Sequence, residues 1–326
     1  MQRRSVAILR TAILAAAGLA LATQAVAATD YPTRPIRLIV PYAAGGGADT
    51  VARMLAQKLT ERLGQQIIVE NKPGAARQTG TLAVVKAAPD GYTPMMGTAN
   101  LATNVPLFAK LPYDAATELA PVSLVTKVPV YLLVNADSPV KNVRELVALS
   151  KSTTDGLSYS TAGASSVPHL AGEMFCAATG TRILHIPYKG SSGAATALLG
   201  NQVNLSFDNL PPVNAYLKAG RVRALAVAMP KRSTLLPQVL TMAELGFPIE
   251  AYSWWGVLAP AGTPAPIIER LNREILAALK PAEMRERFAL QGIEPVGSSP
   301  AEFTAHIRSE TAKWTKAVKA AGIHPE

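Results

Sequence analysis

The sequence predicts an α/β protein with two lobes, each a mainly parallel sheet flanked by helices. Short runs rich in β-branched residues alternate with segments of helical periodicity, which is typical of βαβ units. The right-handed crossover rule then makes neighbouring strands parallel. The 326 residues, 49% of them hydrophobic, are enough for two domains that each bury a core.

The first series of elements forms one βαβαβ unit. Its pattern predicts strands at 36–40, 67–69 and 93–98 and helices at 50–63 and 79–87. Val51, Leu55 and Leu59 place one apolar face on the first helix, and Gly64 ends it.

The second series of elements also alternates strands and helices. It predicts strands at 130–134, 157–160, 183–187, 203–207 and 222–227, and helices at 143–150, 166–178, 194–199 and 213–219. Together these elements predict a second sheet with its own helices.

The C-terminal part returns to helix after a strand-like run at 254–258. Helices are predicted at 266–279 and 281–290, and Phe303, Ile307, Trp314 and Val318 mark one face of a last helix. If this tail packs on the first unit, the chain crosses between lobes near residues 126 and 247. The predicted lobes are therefore 28–127 plus 249–326, and 128–248.

The N-terminus has the features of a secretory signal peptide. Arg3, Arg4 and Arg10 precede or flank an apolar stretch at 11–22, and a small-residue cleavage site ends at Ala27. We expect residues 1–27 to be removed and the protein to be exported across the cytoplasmic membrane. The arginine pair leaves both the general secretory and the twin-arginine routes open.

The composition excludes several classes of protein. Removing three signal-peptide arginines lowers the formal net charge from +10 to +7, and the remaining charges of both signs are interspersed. Nucleic acid is therefore not an expected partner. The single Cys176 excludes an internal disulfide framework. We expect a monomer.

The segment Pro41–Asp49 joins the first predicted strand to the first helix and is rich in glycine. Glycines allow backbone N–H groups to approach a ligand, and a helix N-terminus favours an anion. The segment matches neither a Walker A loop nor a dinucleotide fingerprint, and a simple permissive turn is the alternative. The candidate ligand-binding residues here are Tyr42, Ala43, Gly45, Gly46, Gly47 and Asp49.

A matching segment in the second series follows the strand at 157–160. Its hydroxyl and N–H groups open the next helix, although ordinary helix capping explains them equally well. Its candidate residues are Ser160, Thr161, Ala164, Ser165, Ser166 and His169. Because open α/β sheets bind ligands at the carboxyl ends of their strands, we expect the two segments to face one cleft.

Four further residues also follow predicted strands and are candidates to border the cleft: Thr98, Asn100, Tyr188 and Asp208. A local cap or an Asx turn accounts for Tyr188 and Asp208 about as well. Trp254 and Trp255 are interpreted as core or hinge packing.

No catalytic or metal-binding pattern is evident. The nucleophile elbow G-x-S-x-G is not matched around Ser165, and the spacing of His169, Cys176 and His185 fits no familiar zinc site. We expect neither an enzyme nor a cofactor or metal requirement.

Eight motifs along the mature chain carry a resemblance to one family. They are Tyr31–Ile36, Pro41–Asp49, Val69–Ala75, Pro89–Tyr92, Leu111–Asp114, His185–Gly190, Arg223–Val227 and Ala259–Pro264. The chain resembles the Bug family, the TctC-type substrate-binding proteins of tripartite tricarboxylate transporters. This resemblance implies a type II periplasmic-binding-protein fold that closes on a small-molecule carboxylate and delivers it to membrane permease subunits. It also implies that backbone N–H groups, hydroxyls and waters hold the carboxylate.

Two departures from the family pattern affect ligand preference. Arg77 stands where the family has glycine, and either a cleft-facing or an outward orientation is open at this stage. The run Met95-Met96-Gly97 is also unusual. The solute itself is not named by the sequence: di- and tricarboxylates, amino acids and aromatic acids all present the same group.

Two other functions stay open. A carboxylate sensor that acts with a signalling receptor would have the same fold and pocket. A secreted hydrolase or isomerase would need an acid/base set in the cleft.

Overall fold

The computed structural model describes residues 31–154 and 156–320, so the predicted signal peptide lies outside it. These residues form two sheets flanked by helices, which confirms the predicted α/β architecture. We call the six-stranded sheet with its helices the first lobe and the five-stranded sheet with its helices the second lobe. Within the described ranges, no helix is both long and apolar enough to cross a membrane.

The first sheet has the strand order β11-β4-β10-β3-β1-β2. β1 pairs in parallel with β2 and β3, whereas β10 lies antiparallel between β3 and β4. Its strands are β1 (Ile36–Val40), β2 (Ile67–Asn71), β3 (Met95–Thr98), β4 (Leu119–Pro129), β10 (Tyr252–Pro260) and β11 (Glu294–Pro295).

The second sheet has the order β7-β6-β8-β5-β9. β6 is parallel to β7 and β8, and β5 is the antiparallel insert. Its strands are β5 (Tyr131–Asn135), β6 (Leu157–Thr161), β7 (Ile183–Pro187), β8 (Leu205–Asp208) and β9 (Val222–Val227). The two sheets therefore share one plan, in which three parallel strands are followed by a reversed strand and then by a strand in the original direction. The first sheet adds β11, which is antiparallel to β4 at its edge.

Helices cover both sheets, and most begin within a few residues of a strand end. They are α1 (Gly47–Leu63), α2 (Gln78–Val85), α3 (Asn100–Leu107), α4 (Ala115–Glu118), α5 (Val143–Ser152), α6 (Val167–Thr179), α7 (Ser191–Leu199), α8 (Asn214–Lys218), α9 (Ala265–Leu279), α10 (Ala282–Leu290) and α11 (Pro300–Ala320). A short 3-10 helix spans Ala75–Arg77.

The predicted C-terminal return is present. α11 packs against α3 and β4, with Phe303, Trp314 and Val318 buried. Trp254 is fully buried, and its ring meets Phe303 edge-on at 5.5 Å between centroids. The chain passes from the first sheet to the second at 129–131 and returns between β9 and β10. The lobe boundaries at 127/128 and 248/249 stay a prediction.

The sequence patterns missed two longer elements, β4 and α3, as well as the short α4, β11 and the 3-10 helix. β4 is an 11-residue strand, but prolines at 121 and 129 interrupt its apolar run and obscure the signal. α3 contains Pro106 together with asparagine and threonine, which are poor helix formers, so its periodicity is weak. Both elements are stabilised by tertiary packing in the first lobe.

Candidate functional site

A cavity lies between the two lobes, at the carboxyl ends of β1, β3, β6 and β8. It is lined by Tyr42, Gly46, Gly47, Ala48, Thr98, Ala99, Asn100, Ser253 and Trp255 from the first lobe and by Ala162, Ser166, Val167, Pro168, Ser191 and Asn209 from the second. None of these lining residues has a carboxylate or a basic side chain. Any charge on a solute held here must therefore be met by backbone N–H groups, amides and hydroxyls.

The start of α1 forms the first-lobe wall. Gly46 is its N-cap, and no side chain of the described residues caps this helix, so the first-turn N–H groups are left for another acceptor. Gly47 is required for close packing, because a Cβ there would lie 2.6 Å from Cη2 of Trp255. Gly45 adopts a φ of +79°, which glycine tolerates best. The glycines therefore bring a bare helix end to the cavity.

Asp49 lies behind this wall and holds it in shape. Its buried carboxylate accepts hydrogen bonds from Gly45 N at 2.9 Å, Arg53 Nε at 3.0 Å and Asn71 Nδ2 at 3.0 Å. Burial alone raises the pKa of Asp49, but the hydrogen bonds and the Arg53 charge outweigh it and hold this pKa below its usual value. Asp49 thus stays ionised and orders the loop; it does not line the cavity.

The start of α6 forms the facing second-lobe wall and is capped from within. Ser166 Oγ accepts from His169 N at 3.2 Å and donates to Gly163 O at 2.7 Å. Pro168, at the second helical position, has no N–H to donate. Val167, the first residue of this turn, lines the cavity, and its N–H donates to no group in the described part of the chain.

An aromatic stack supports the second wall from outside the cavity. The rings of His169 and His185 stack at 4.0 Å, Tyr159 stacks on His185 at 4.9 Å, and Thr161 Oγ1 lies 2.8 Å from His185 Nε2. Burial, assisted by the neighbouring His169, lowers the pKa of His185 to about 3, so it is neutral at physiological pH. Ser165 N donates to Nδ1 of His169 at 3.2 Å, which ties the loop to the stack.

Asp208 lies at the end of β8 behind two lining residues. Its Oδ1 accepts from Ser191 Oγ and from Asn209 N, both at 2.7 Å, while Oδ2 is buried without a hydrogen-bond partner in the described part of the chain. Burial raises the pKa of Asp208 to about 7, although both hydrogen bonds oppose the rise. The carboxyl is thus poised between its two protonation states near neutral pH.

Hydrogen bonds join the two lobes on one side of the cavity. Asn100 Nδ2 donates to Ser165 O at 2.9 Å, and Thr103 Oγ1 donates to the same carbonyl at 2.6 Å. Asn100 Oδ1 in turn accepts from Tyr42 Oη at 2.9 Å. Ser192 Oγ, from the second lobe, donates to Ala44 O at 3.3 Å. The lobes are therefore in direct contact in this conformation.

The orientation of Arg77, open from the sequence, is inward. The side chain is only 6% exposed and reaches the second lobe. Its Nη2 donates to Ala162 O at 2.6 Å, and its Nη1 donates to Ala164 O. The guanidinium lies 4.6 Å above the centroid of the Tyr42 ring.

Six of the predicted site residues line the cavity: Tyr42, Gly46, Gly47, Thr98, Asn100 and Ser166. The others lie around it rather than on its surface. The supporting loops, strand ends and first helical turns contain Ala43, Gly45, Asp49, Ser160, Thr161, Ala164, Ser165, His169, Tyr188 and Asp208.

Nine lining residues were not among the predicted site residues. Ser191 and Asn209 follow strands of the second sheet, so the rule that found Asp208 also points to them. Ser253 and Trp255 come from the reversed strand β10, and no local signal marks them as cavity residues. Trp255 is buried as expected, but its ring also lines the cavity.

A family model described as the tripartite tricarboxylate transporter family receptor, TctC, matches residues 51–323. The chain belongs to the TctC family. Protein BugT of Bordetella pertussis is 39% identical over 319 residues, which cover 96% of this chain and 98% of that protein. TctC and Bug proteins are periplasmic solute-binding proteins and not enzymes, which confirms the family and the non-enzymatic role inferred from the motifs.

Solved structures of TctC-type proteins share the fold. The periplasmic binding protein BugD has a TM-score of 0.87 at 36% identity, covering 91% of this chain and all of that one. An R. palustris protein solved with adipate has a TM-score of 0.88 at 36% identity, with 91% and 100% coverage. MatC from Rhodopseudomonas palustris, solved with bound malate, has a TM-score of 0.84 at 32% identity, with 88% and 100% coverage.

Proposed function

We propose that this TctC protein captures a small carboxylate in the cavity between its lobes and delivers it to the permease subunits of a tripartite tricarboxylate transporter. The observation that carries the proposal is the uncapped start of α1, which presents Gly46, Gly47 and Ala48 to a cavity with no charged side chain. A helix N-terminus with free N–H groups is a ready site for a carboxylate.

The neutral lining makes the backbone donors essential. A carboxylate that leaves water for a buried site must regain its hydrogen bonds there, since an unpaired buried charge is very unfavourable. The N–H groups of α1 supply donors from one lobe, and Val167 N, Ser191 and Asn209 supply donors from the other. Trp255, Val167 and Pro168 provide apolar surface for the carbon skeleton of the solute.

Binding from both lobes couples capture to closure. A solute that touches only one lobe gains the second set of contacts when the lobes come together, so its higher affinity for the closed form shifts the equilibrium toward closure. The relatives solved with adipate and with malate support a carboxylate as the solute. Di- and tricarboxylates, amino acids and aromatic acids all remain within the proposed class.

Delivery to a membrane transporter is supported by the family description as a transporter receptor. The predicted signal peptide at 1–27 supports export to the periplasm. We propose that the mature protein acts as a monomer and that its closed form is what the permease recognises.

Native mass spectrometry of the mature protein as purified tests the capture step. We expect an intact small carboxylate at one copy per chain, released on denaturation. If the purified protein carries no small molecule, isothermal titration with adipate, malate and a panel of other carboxylates tests the same step. We expect saturable binding heat from at least one of these carboxylates. No binding by any carboxylate would contradict the proposal.

Gly46→Val tests the site. Gly46 has a φ of −83°, and a Cβ there meets its nearest neighbours at 3.7 and 3.8 Å, so the backbone accepts a side chain. Valine then covers the N–H groups of α1, and we expect Kd to rise by roughly a hundredfold with little change in melting temperature.

Gly200→Val is the matched control. Gly200 is exposed at the end of α7, has a φ of −85°, and lies outside the cavity lining. We expect this variant to bind as the wild type does. Unchanged affinity in Gly46→Val would remove the start of α1 from the site.

Delivery is tested by uptake of the identified carboxylate in a strain that lacks this protein. Loss of uptake, restored by the wild type and not by Gly46→Val, is expected. Normal uptake with a lost transcriptional response to the same carboxylate would instead indicate a sensor.

A further inference from the structure

We infer that Arg77 is a positioning residue that sets the affinity for every solute from outside the cavity, by tying the two lobes together in the closed form. The inference rests on the proposed function, since it describes how the same cleft is held shut. Arg77 belongs to the first lobe, and both of its hydrogen-bond acceptors, the carbonyls of Ala162 and Ala164, belong to the second.

The geometry gives the guanidinium a role other than direct solute binding. Arg77 does not line the cavity at the start of α1, although Tyr42 and Ala162, which it contacts, do. It lines a neighbouring pocket between the lobes, where its guanidinium is bound to the carbonyls of the second lobe. Two of its N–H groups are directed to neighbouring carbonyls of one loop, a forked arrangement that suits the planar guanidinium. Its face lies against the Tyr42 ring. The side chain therefore joins the cavity wall of one lobe to the wall of the other.

The backbone around Arg77 is also unusual. Ala75, Ala76 and Arg77 have consecutive φ values of 44°, 48° and 72°, a left-handed conformation that non-glycine residues rarely adopt. Such strain persists when surrounding contacts hold the segment in place. The hydrogen bonds of Arg77 to the second lobe are contacts of this kind, and Asn104 Nδ2 adds another by donating to Ala76 O at 3.1 Å.

The contacts of Arg77 between the lobes should change the affinity for all solutes and not for one solute alone. Charge-assisted hydrogen bonds across the cleft exist only when the lobes are together, so they raise the population of the binding-competent form. Apparent affinity scales with that population for any solute that requires closure. A contact that touches no solute therefore multiplies the affinity for all solutes by the same factor.

Arg77→Gly is the decisive variant. Glycine adopts a φ of +72° without strain, so the change removes the side chain and at the same time relaxes the backbone. Arg77→Lys is the second variant, because it keeps the charge but loses the fork. Ala76→Gly is the matched control, since it relaxes the neighbouring positive φ of 48° and leaves the guanidinium in place.

Two measurements are made on each variant. Isothermal titration gives Kd for adipate, for malate and for the monocarboxylate hexanoate. Pulsed electron paramagnetic resonance gives the distance between spin labels on Glu61→Cys in α1 and Lys151→Cys in α5, in a Cys176→Ala background, with and without each acid. Both label positions are exposed, one on each lobe.

We expect Arg77→Gly to weaken the binding of every acid that the wild type binds by a common factor of at least about tenfold, with Arg77→Lys weakened less. The solute-free closed fraction falls in parallel, and Ala76→Gly changes neither quantity by a comparable amount. A loss confined to the dicarboxylates would overturn the inference, because it would show that Arg77 pairs with a second carboxylate of the solute. Unchanged affinity would overturn it too.

The inference and the proposed function fail in different ways. If neither the wild type nor any variant binds a carboxylate, the proposed function fails, and the solute-free distances alone decide the role of Arg77. A lower closed fraction in Arg77→Gly than in wild type then supports the tie between the lobes. Equal distance distributions in that case reject it.

Discussion

Helix α1 in the first lobe begins with an uncapped glycine, whereas helix α6 in the second begins with a serine that caps its own first turn. The first loop consequently keeps its N–H donors for the cavity. The second loop uses most of its donors internally, leaving Val167 N at the cavity, and presents the backbone carbonyls of Ala162, Ala164 and Ser165 to the other lobe. Two loops at equivalent places in their sheets thus serve different purposes, solute binding and lobe closure.

The buried carboxyls behind the two walls differ as well. Asp49 is held ionised by Arg53, Asn71 and Gly45 N, and its pKa is lowered. Among the described residues, Asp208 accepts hydrogen bonds only from neutral donors and one of its oxygens has no partner, and its pKa is raised to about 7. The difference shows that burial raises a carboxyl pKa unless a cation or enough hydrogen-bond donors compensate for it. Asp49 and Asp208 should therefore contribute to stability with opposite dependence on pH.

Asp49→Ala should have the largest effect on stability. It removes the acceptor of three hydrogen bonds, one of them from a cation, so we expect the free energy of unfolding to fall by about 2 to 4 kcal/mol at pH 7. Because the folded pKa of Asp49 is lowered, its contribution is present above the unfolded pKa near 3.8 and is lost as pH falls through the folded pKa. Urea unfolding at pH 7 and at a series of pH values below 3.8 measures both effects.

Asp90→Ala is the control for that experiment. Asp90 also pairs with an arginine, Arg34 at 2.9 Å, but the two side chains are 41% and 61% exposed. We expect this substitution to cost less than about 1 kcal/mol. Equal losses of unfolding free energy in the two variants would mean that burial does not strengthen the interactions of Asp49.

Asp208→Asn should change the pH dependence of stability in the opposite direction to Asp49→Ala. With a folded pKa of about 7 and an ordinary value of 3.8, the neutral form of Asp208 favours the folded state, so stability declines as pH rises from about 4 to about 7. Asparagine remains neutral, so we expect it to remove this decline, and the stability of the variant relative to wild type should rise between pH 4 and pH 8. Parallel stability–pH profiles of wild type and variant would contradict the assignment.

Ser166→Ala and Asn142→Ala should have the smallest effects and separate capping from binding. Both residues are helix N-caps of the second lobe: Ser166 caps α6, and Asn142 accepts from Glu145 N at 3.0 Å at the start of α5. Each substitution should lower the unfolding free energy by about 1 kcal/mol. Only Ser166 lines the cavity, so only its variant should weaken solute binding, by several-fold in titration. The same Kd for both would place Ser166 outside the site.

Much of the fold could be predicted because its signals are local. The short runs of β-branched, aromatic and other apolar residues that form β1, β6, β7 and β9, and the apolar face of α11, are visible in consecutive residues. The glycine-rich loop before α1 was identified for the same reason: its chemistry needs no partner from elsewhere in the chain. β4 escaped detection because its pairing with β10 stabilises a segment that contains two prolines.

The candidate site also contains residues that the local sequence predicts and residues that it does not. Tyr42, Gly46, Gly47 and Ser166 were identified because each belongs to a strand-to-helix loop. Trp255 and Ser253 were missed because a residue on a reversed central strand reaches the cavity only through the order of strands in the sheet. Asp49 was included because it belongs to the loop, although its carboxylate turns away to order the backbone.

By itself, the sequence of this protein determined the two α/β units, the bare helix start that suits a carboxylate and the TctC membership, because local pattern and motif encode each of them. The tertiary structure alone decided that Arg77 joins the lobes, that Asp49 is ionised while Asp208 is poised near neutrality, and that Trp255 faces the cavity. The physical reason is that hydrogen-bond partners, burial and electrostatic neighbours come from residues far apart in the chain, and only folding brings them together.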